Sequence, residues 1–335
     1  MPVIDEMLIV IEENLKTQVQ RSTNQPGMDG LQSMLAYHMG WEGEGAGLEA
    51  RGKRLRPLLV SLCCAACGED WRISLPAASA VELLHNFSLL HDDIEDNSPL
   101  RRGRPTVWKQ WGIPHAINAG DAMFTLAHLA ILDFKNTLPA FKVLQCCHLF
   151  QTACLTLTQG QYLDISFEQL KDVNLDDYWQ MISGKTAALL ACCCELGALA
   201  GGANSEMQMY YRQFGLSLGL AFQAMDDILG IWGEIQMTGK STKSDLATGK
   251  KSLPVLYGLS LRGTFYQRWR NGKVPSDEVA IATEVLTDEG ANDYAQKFAD
   301  RLTEDAMCAL ANAHPSSQVG LELKDLTESL LRRKH

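Results

Sequence analysis

No excess of basic charge runs through this sequence. Its 30 Lys and Arg stand against 40 Asp and Glu, a formal net charge of −10 with pI ≈ 5.3. Without an overall positive field, nucleic acid is disfavoured as a main partner. No secretory signal is visible, because MPVIDEMLIVIEENLK places acids where a basic start and an unbroken apolar stretch would stand. No apolar run reaches the ~20 residues of a membrane span. The nearest, TAALLACCCELGALAGG from Thr186, is shorter, contains Glu195 and is expected to be a buried core helix. Alternating Val/Ile/Thr runs are missing, so strands are not expected. There is no Pro/Ser/Gly-rich linker and no repeat of fixed period, which leaves one all-helical domain, 1–335, as the simplest reading. Zinc spacing is lacking too: Cys64 and Cys67 form a CxxC with no second pair. The 10 cysteines cluster in Ala/Leu-rich sequence and are expected to be reduced core residues of a cytoplasmic protein.

What is present is helix after helix. Hydrophobic residues make up 46% and charged residues 21%, ordinary for a globular chain able to bury a large core. Breaks at 22–30, 40–53, 97–105, 112–114, 232–254, 271–278 and 312–318 leave room for roughly eight to ten helices. One is expected to start at Asn174, an N-cap with Asp177 three residues on.

Two acidic phrases break this apolar background, HDDIED ending at Asp96 and FQAMDDILG ending at Gly230. On a helix, Asp92 and Asp96 share a face while Asp93 looks to one side. Three acids so close repel one another unless a cation sits among them. Mg²⁺ meets that need, taking carboxylate and water oxygens and completing its shell with substrate phosphates. A solvated helix end is the plainer explanation, yet ELLHNFSLL ahead of the acids is mostly apolar. The second phrase repeats the design with Asp226 and Asp227, and facing helices with inward carboxylates can build a shared metal site.

Five basic motifs fall near loops or helix ends: RGKRLRP (51–57), LRRGRP (100–105), SGKTAAL (183–189), TGKS (238–241) and GKKSLP (249–254). Any one alone is a solvated charge. Set beside two acid clusters, they point to diphosphate groups gripped by Lys and Arg. A Walker A loop is excluded, since no GxxxxGK[ST] follows a strand.

In this order the motifs resemble those of the trans-isoprenyl diphosphate synthase family, also called the polyprenyl synthetase family, from about Gly52 to Pro254. The resemblance implies a single-domain all-α bundle of the isoprenoid synthase type with a central active-site cavity, and a homodimer. It implies three Mg²⁺, with Asp92, Asp96 and Asp226 as ligands and Asp93 and Asp227 in support. Lys53 and Arg56 of GKRLRP, His85 and Arg102 match positions that bind isopentenyl diphosphate. Arg101, Lys185, Thr186, Gln223 and Lys240 match positions that bind the allylic diphosphate, and Lys250 a basic residue near the metals. Gln161 and Asp164 of GQYLD belong to the same pattern, and the terminal LLRRKH resembles basic tails that close over substrate in some members.

The implied reaction is head-to-tail prenyl transfer, in which isopentenyl diphosphate condenses with an allylic diphosphate. The growing tail would run back along the first acidic helix, where Phe87 stands five residues before Asp92 and the small Ser88 four before. That pattern is similar to some twenty-carbon synthases, so geranylgeranyl diphosphate is the expected product, with farnesyl diphosphate next. Phe87 as ordinary core packing is the alternative. A class I terpene cyclase shares fold, metals and ionisation but needs no isopentenyl site. A non-catalytic subunit of a heteromeric synthase would be expected to lose metal ligands. A bare helical metal scaffold would leave the ordered basic motifs unexplained. Three positions depart from the family pattern. Arg51 replaces a Gly, Met225 a polar residue, and Gly230 the last carboxylate of the second motif. Gly230 is expected to be tolerated, with Gly230→Asp changing activity only modestly.

Overall fold

The computed structural model describes residues 2–23, 25–170, 172–233, 245–269 and 273–331. Lys240, the rest of TGKS and the last four residues of LLRRKH lie outside them. The first eight helices are α1 (Pro2–Gln20), α2 (Asp29–His38), α3 (Leu48–Arg51), α4 (Leu55–Ala66), α5 (Leu75–Glu95), α6 (Val107–Trp111), α7 (Ile113–Leu132) and α8 (Ala140–Gln169). Then come α9 (Leu175–Ile182), α10 (Ala188–Ala200) and α11 (Ser205–Trp232). Six further helices follow α11. The described residues thus hold seventeen helices, more than the spacing of Pro and Gly suggests. Short helices such as α3 and the one at Asp245–Thr248 sit inside stretches that read as loops.

Asn174 caps α9 as expected. Its side chain accepts from Asp177 N at 3.0 Å while the Asp177 carboxylate accepts from Asn174 N at 3.0 Å. After α9 the backbone widens into a π-helical turn, Ser183–Ala187, before α10. The expectation that this apolar stretch is short therefore fails: Leu175–Ala200 runs as 26 continuous helical residues. Trp71–Glu95 and Ser205–Trp232 are likewise long and apolar enough to cross a membrane. Burial explains that apolarity, since 61–72% of each apolar window is covered by the protein itself.

Among the described residues sheet is confined to one antiparallel pair, Leu100–Arg101 with Arg104–Pro105, in the register Leu100↔Pro105 and Arg101↔Arg104. The sequence missed it because two-residue strands leave no alternation to read. The turn residues Arg102 (φ 51°) and Gly103 (φ 74°) both have positive φ, the requirement of a tight hairpin whose twist matches its strands.

The chain divides into two compact units. Met1–Gln151, Cys193–Gln208 and Pro315–Glu322 form one, and Thr152–Cys192, Met209–His314 and Leu323–His335 the other. In the first, α5 buries Ala77, Ala80, Val81 and Leu84 along one face and packs closely on α7. Opposite them α7 offers Ala116, Ala119, Gly120 and Met123, small residues that let two helix backbones approach. In the second unit Tyr178, Met181 and Ile182 pack with Ala224, Met225, Ile228, Leu253 and Leu256. That core fixes the second acidic phrase of α11 against α9. All 10 cysteines are free, and nine of them are buried or half-buried.

Candidate active site

In the first unit the Asp pair of α5 divides into unlike halves. Asp92 is half-buried and Asp96, at the helix C-cap, is exposed. Asp93 is 2% exposed and accepts from Arg101 Nε through both carboxylate oxygens, at 2.8 and 3.0 Å. Burial raises the Asp93 pKa, and the Arg101 guanidinium opposes that rise. The hairpin holding Arg101 is anchored by Arg104, which donates to the carbonyls of Tyr37, Glu42 and Glu44 at 2.9, 2.6 and 2.8 Å.

At the hairpin tip Arg102 donates to Ala50 O at 2.7 Å and lies over Gly52. A Cβ on Gly52 would stand 2.6 Å from Arg102 Nη2, and its φ of 75° suits glycine alone. From this turn Lys53 projects into solvent. Arg54 instead turns inward in a left-handed conformation, φ 47°, to meet Glu12 at 3.0 Å and Glu82 at 2.9 Å. Arg56 follows with its Nε buried and lacking a hydrogen-bond partner, and burial lowers its pKa.

His85 and His38 face these arginines. Burial, then Arg56, Arg102 and Arg101, push the His85 pKa well below the usual imidazole range. Burial, then Arg101, Arg102 and Arg54, hold His38 at about 3. A small open depression is lined by Tyr37, His38, Asp93, Arg101, Arg102 and Arg104. With three guanidinium groups against one carboxylate, and His38 held neutral beside them, it suits an anion.

The second unit repeats the division. Asp226 of α11 is half-buried. Asp227 is fully buried and accepts from Tyr178 Oη at 2.7 Å, Leu253 N at 2.9 Å, Gln223 Nε2 at 3.0 Å and Lys250 Nζ at 3.4 Å. Thr186 Oγ1 extends the chain of bonds, donating to Gln223 Oε1 at 2.9 Å. The half-exposed Lys250 has its pKa raised by Asp227 above all, with burial opposing and Asp245 and Asp164 adding. Lys185 sits on the π-helical turn and donates to Asp164 Oδ2 at 2.5 Å. Gly160 of GQYLD makes this possible: a Cβ there would stand 2.0 Å from Lys185 N, so only glycine lets α8 and the turn come together. π-Helical turns recur at functional sites, where they re-aim a side chain.

Phe87 packs against His91 and Phe124 of α7, with ring centroids 4.8 and 4.9 Å apart. His128 and Phe150 continue this aromatic column. Ser88 is half-buried and donates to His85 O at 2.8 Å.

Comparison with known proteins decides the family. Residues 46–273 match the family model for polyprenyl synthetase. The chain belongs to the polyprenyl synthetase family. It is 38% identical over 313 residues to a geranylgeranyl diphosphate synthase of Mycobacterium tuberculosis, covering 91% of this chain and 87% of that one. To a (2E,6E)-farnesyl diphosphate synthase of Mycobacterium bovis it is 37% identical over 314 residues, covering 91% and 86%. A crystal structure of a polyprenyl synthetase from Streptomyces coelicolor superposes with a TM-score of 0.87 at 33% identity, covering 98% of each chain. The all-helical isoprenoid synthase fold is therefore that of this polyprenyl synthetase.

Would these residues suit Mg²⁺? The candidate donors are hard carboxylate oxygens, half-buried at Asp92 and Asp226 and exposed at Asp96. Among the described residues no three His, Cys, Asp or Glu side chains gather as a self-sufficient metal cage. Hard oxygen donors of this kind suit an ion that binds through one or two carboxylates and takes its remaining oxygens from phosphate and water.

Sequence reasoning passed over three residues of this synthetase. Arg54 lies between two motif positions yet is structural. Tyr178 stands 49 residues before the Asp227 it supports. His38 carries no motif at all, and its only sequence signal is a histidine at the end of the apolar stretch MLAYH.

Proposed function

We propose that this chain is an Mg²⁺-dependent head-to-tail trans-prenyltransferase, condensing isopentenyl diphosphate with an allylic diphosphate to make geranylgeranyl diphosphate. One observation carries the reading. In both acidic motifs the second Asp is buried and fully bonded, which holds the helix end in place and leaves the first Asp half-open. A pair of solvated helix ends would have no reason to repeat that arrangement.

Asp92 and Asp96 on α5, and Asp226 on α11, would hold Mg²⁺, which when bound would supply positive charge to a departing diphosphate. Arg101, Lys185 and Lys250 add charge-assisted hydrogen bonds to its oxygens, worth most where charge develops as the allylic C–O bond breaks. The bonding electrons pass to the diphosphate and leave an allylic cation. Lys53, Arg56, His85 and Arg102 hold the diphosphate of isopentenyl diphosphate, so that its double bond attacks that cation. The proton released from the adjacent carbon goes to the freed diphosphate. Exclusion of water matters because the cation would otherwise become an alcohol, and the apolar face of α5 ahead of Asp92 provides it.

The tail extends along α5 toward Phe87, whose contact with Phe124 makes a firm floor. That supports a twenty-carbon product over a fifteen-carbon one. A homodimer belongs to the same reading. Phe141, Leu144, Leu155 and Tyr162 on α8 are 60–72% exposed, an apolar row that a second copy would cover. The free cysteines support a cytoplasmic location.

The test is one incubation of purified protein with Mg²⁺, isopentenyl diphosphate and each allylic starter in turn, with products identified by chromatography. Isopentenyl-dependent elongation supports the proposal. A cyclic hydrocarbon formed without isopentenyl consumption would make the chain a terpene cyclase. Turnover only on adding a second, different chain would make it a subunit of a heteromeric synthase.

A further inference from the structure

Arg54 caps the start of α4 between two residues of the isopentenyl diphosphate group, Lys53 and Arg56. Its backbone is left-handed, φ 47°, and its side chain is 3% exposed. A non-glycine residue keeps that conformation only where its surroundings fix it. Here all three guanidinium nitrogens are bonded. Nε donates to Glu12 Oε2 at 3.0 Å, and Nη2 to Glu12 Oε1 and Met39 O, both at 3.1 Å. Nη1 donates to Glu82 Oε1 at 2.9 Å. One buried cation thus ties α1, the C-cap of α2, α4 and α5 together.

Glu82 is 3% exposed and stands about one helical turn before His85 on α5. A carboxylate buried this deeply needs a cation. Asn86 Nδ2 adds only a neutral donor to its Oε1, at 3.0 Å. Two further guanidinium groups feel its charge, those of Arg56 and Arg102. Both belong to the isopentenyl diphosphate group, and Arg56 Nε is buried without a hydrogen-bond partner. Glu82 is therefore a rival of the substrate for the same two arginines. The bond from Arg54 is what occupies it.

We propose that Arg54 is a positioning residue for isopentenyl diphosphate: by holding Glu82 it keeps that carboxylate off Arg56 and Arg102 and leaves their guanidinium groups open to the diphosphate. The inference rests on the prenyltransferase reading above. With every guanidinium nitrogen already bonded, Arg54 is not itself a ligand of the substrate. Its removal frees a buried carboxylate whose field already reaches the two arginines the substrate needs. A guanidinium turned toward Glu82 offers the diphosphate fewer donors. The loss therefore falls on isopentenyl diphosphate and spares the allylic substrate. A lysine at 54 keeps the charge but lacks the planar fork that reaches Glu12 and Glu82 together.

The test is steady-state kinetics of the full chain with Mg²⁺, varying isopentenyl diphosphate at saturating farnesyl diphosphate and then the reverse. The variants are Arg54→Met, Arg54→Lys, Glu82→Gln and each Arg54 variant combined with Glu82→Gln, all first checked by thermal melting. Residues in contact couple by roughly 2–150-fold, and Arg54→Met is expected to raise KM for isopentenyl diphosphate about tenfold. KM for farnesyl diphosphate is expected to stay within about twofold. Adding Glu82→Gln is expected to return KM for isopentenyl diphosphate to near the wild-type value, because an amide has no charge to draw Arg56 or Arg102. Where Arg54→Met does not melt cooperatively, Arg54→Lys with and without Glu82→Gln carries the same comparison, with a smaller rise. An unchanged KM for isopentenyl diphosphate in the folded Arg54 variant, an equal rise for both substrates, or no return on adding Glu82→Gln overturns the inference while the prenyltransferase reading stands. No isopentenyl-dependent turnover by the wild-type chain overturns both.

Discussion

Arg101 donates to both carboxylate oxygens of Asp93, at 2.8 and 3.0 Å, and thereby ties the hairpin after α5 to the motif at its end. The buried carboxylate depends on that partner. Arg101→Ala strands Asp93 in a site 2% exposed, and removing one member of a buried pair costs about 3–5 kcal/mol at the upper end. Because Arg101 is itself 30% exposed, the smaller figure applies. A lowered melting temperature together with weaker pyrophosphate binding is the expected outcome. Arg101→Lys should restore stability only in part, since an ammonium does not reproduce the guanidinium fork.

Tyr178→Phe removes one of four hydrogen bonds to the buried Asp227 and nothing else. A hydrogen bond to a charged group is worth about 1.5–3 kcal/mol. Urea unfolding should show a loss of that order. An unchanged midpoint would mean that Gln223, Lys250 and the Leu253 amide satisfy Asp227 without it.

His38 and His85 make stability depend on pH. Both are held below the usual imidazole pKa, His38 at about 3, by burial and the adjacent arginines. The unfolded chain therefore takes up protons near the ordinary value of 6.5 that the folded chain refuses. Stability is complete above about pH 6.5 and falls as the pH drops from there toward 3. The groups facing these two rings are Arg54, Arg56, Arg101 and Arg102, so the sign does not depend on one neighbour. Melting temperature against pH should slope less in His38→Asn than in the wild type, and a parallel slope would show that His38 is not held neutral.

Phe87 bears on product length. Truncation to Ala removes the ring that touches Phe124 of α7 at 4.9 Å and opens the column toward His128. Products longer by one isoprene unit or more are expected from Phe87→Ala, and longer again from Phe87→Ala with Phe124→Ala. Identical product length in all three proteins would leave Phe87 an ordinary core residue.

Much of this was legible in the residues, and what was not has a physical cause. The capping box at Asn174 and Asp177 is local, four residues in a row, and appears as read. Thr186 with Gln223, and Lys185 with Asp164, were picked separately and are found bonded to each other. Their pairing was invisible because contacts between distant segments leave no periodicity. Tyr178 escaped for the same reason, since it acts on α11 from a segment with no motif of its own. The hairpin escaped because its strands are two residues long.

The central claim is isopentenyl-dependent elongation that needs both aspartate motifs. The most direct measurement is the rate at which labelled isopentenyl diphosphate enters long-chain product with farnesyl diphosphate as starter, for wild type and Asp226→Ala over a Mg²⁺ titration. The wild type should form a twenty-carbon diphosphate, and Asp226→Ala should lose about a hundredfold or more in rate, about 2.7 kcal/mol of transition-state stabilisation. Incorporation at the wild-type rate by Asp226→Ala, or no isopentenyl-dependent product from the wild type, would contradict the account.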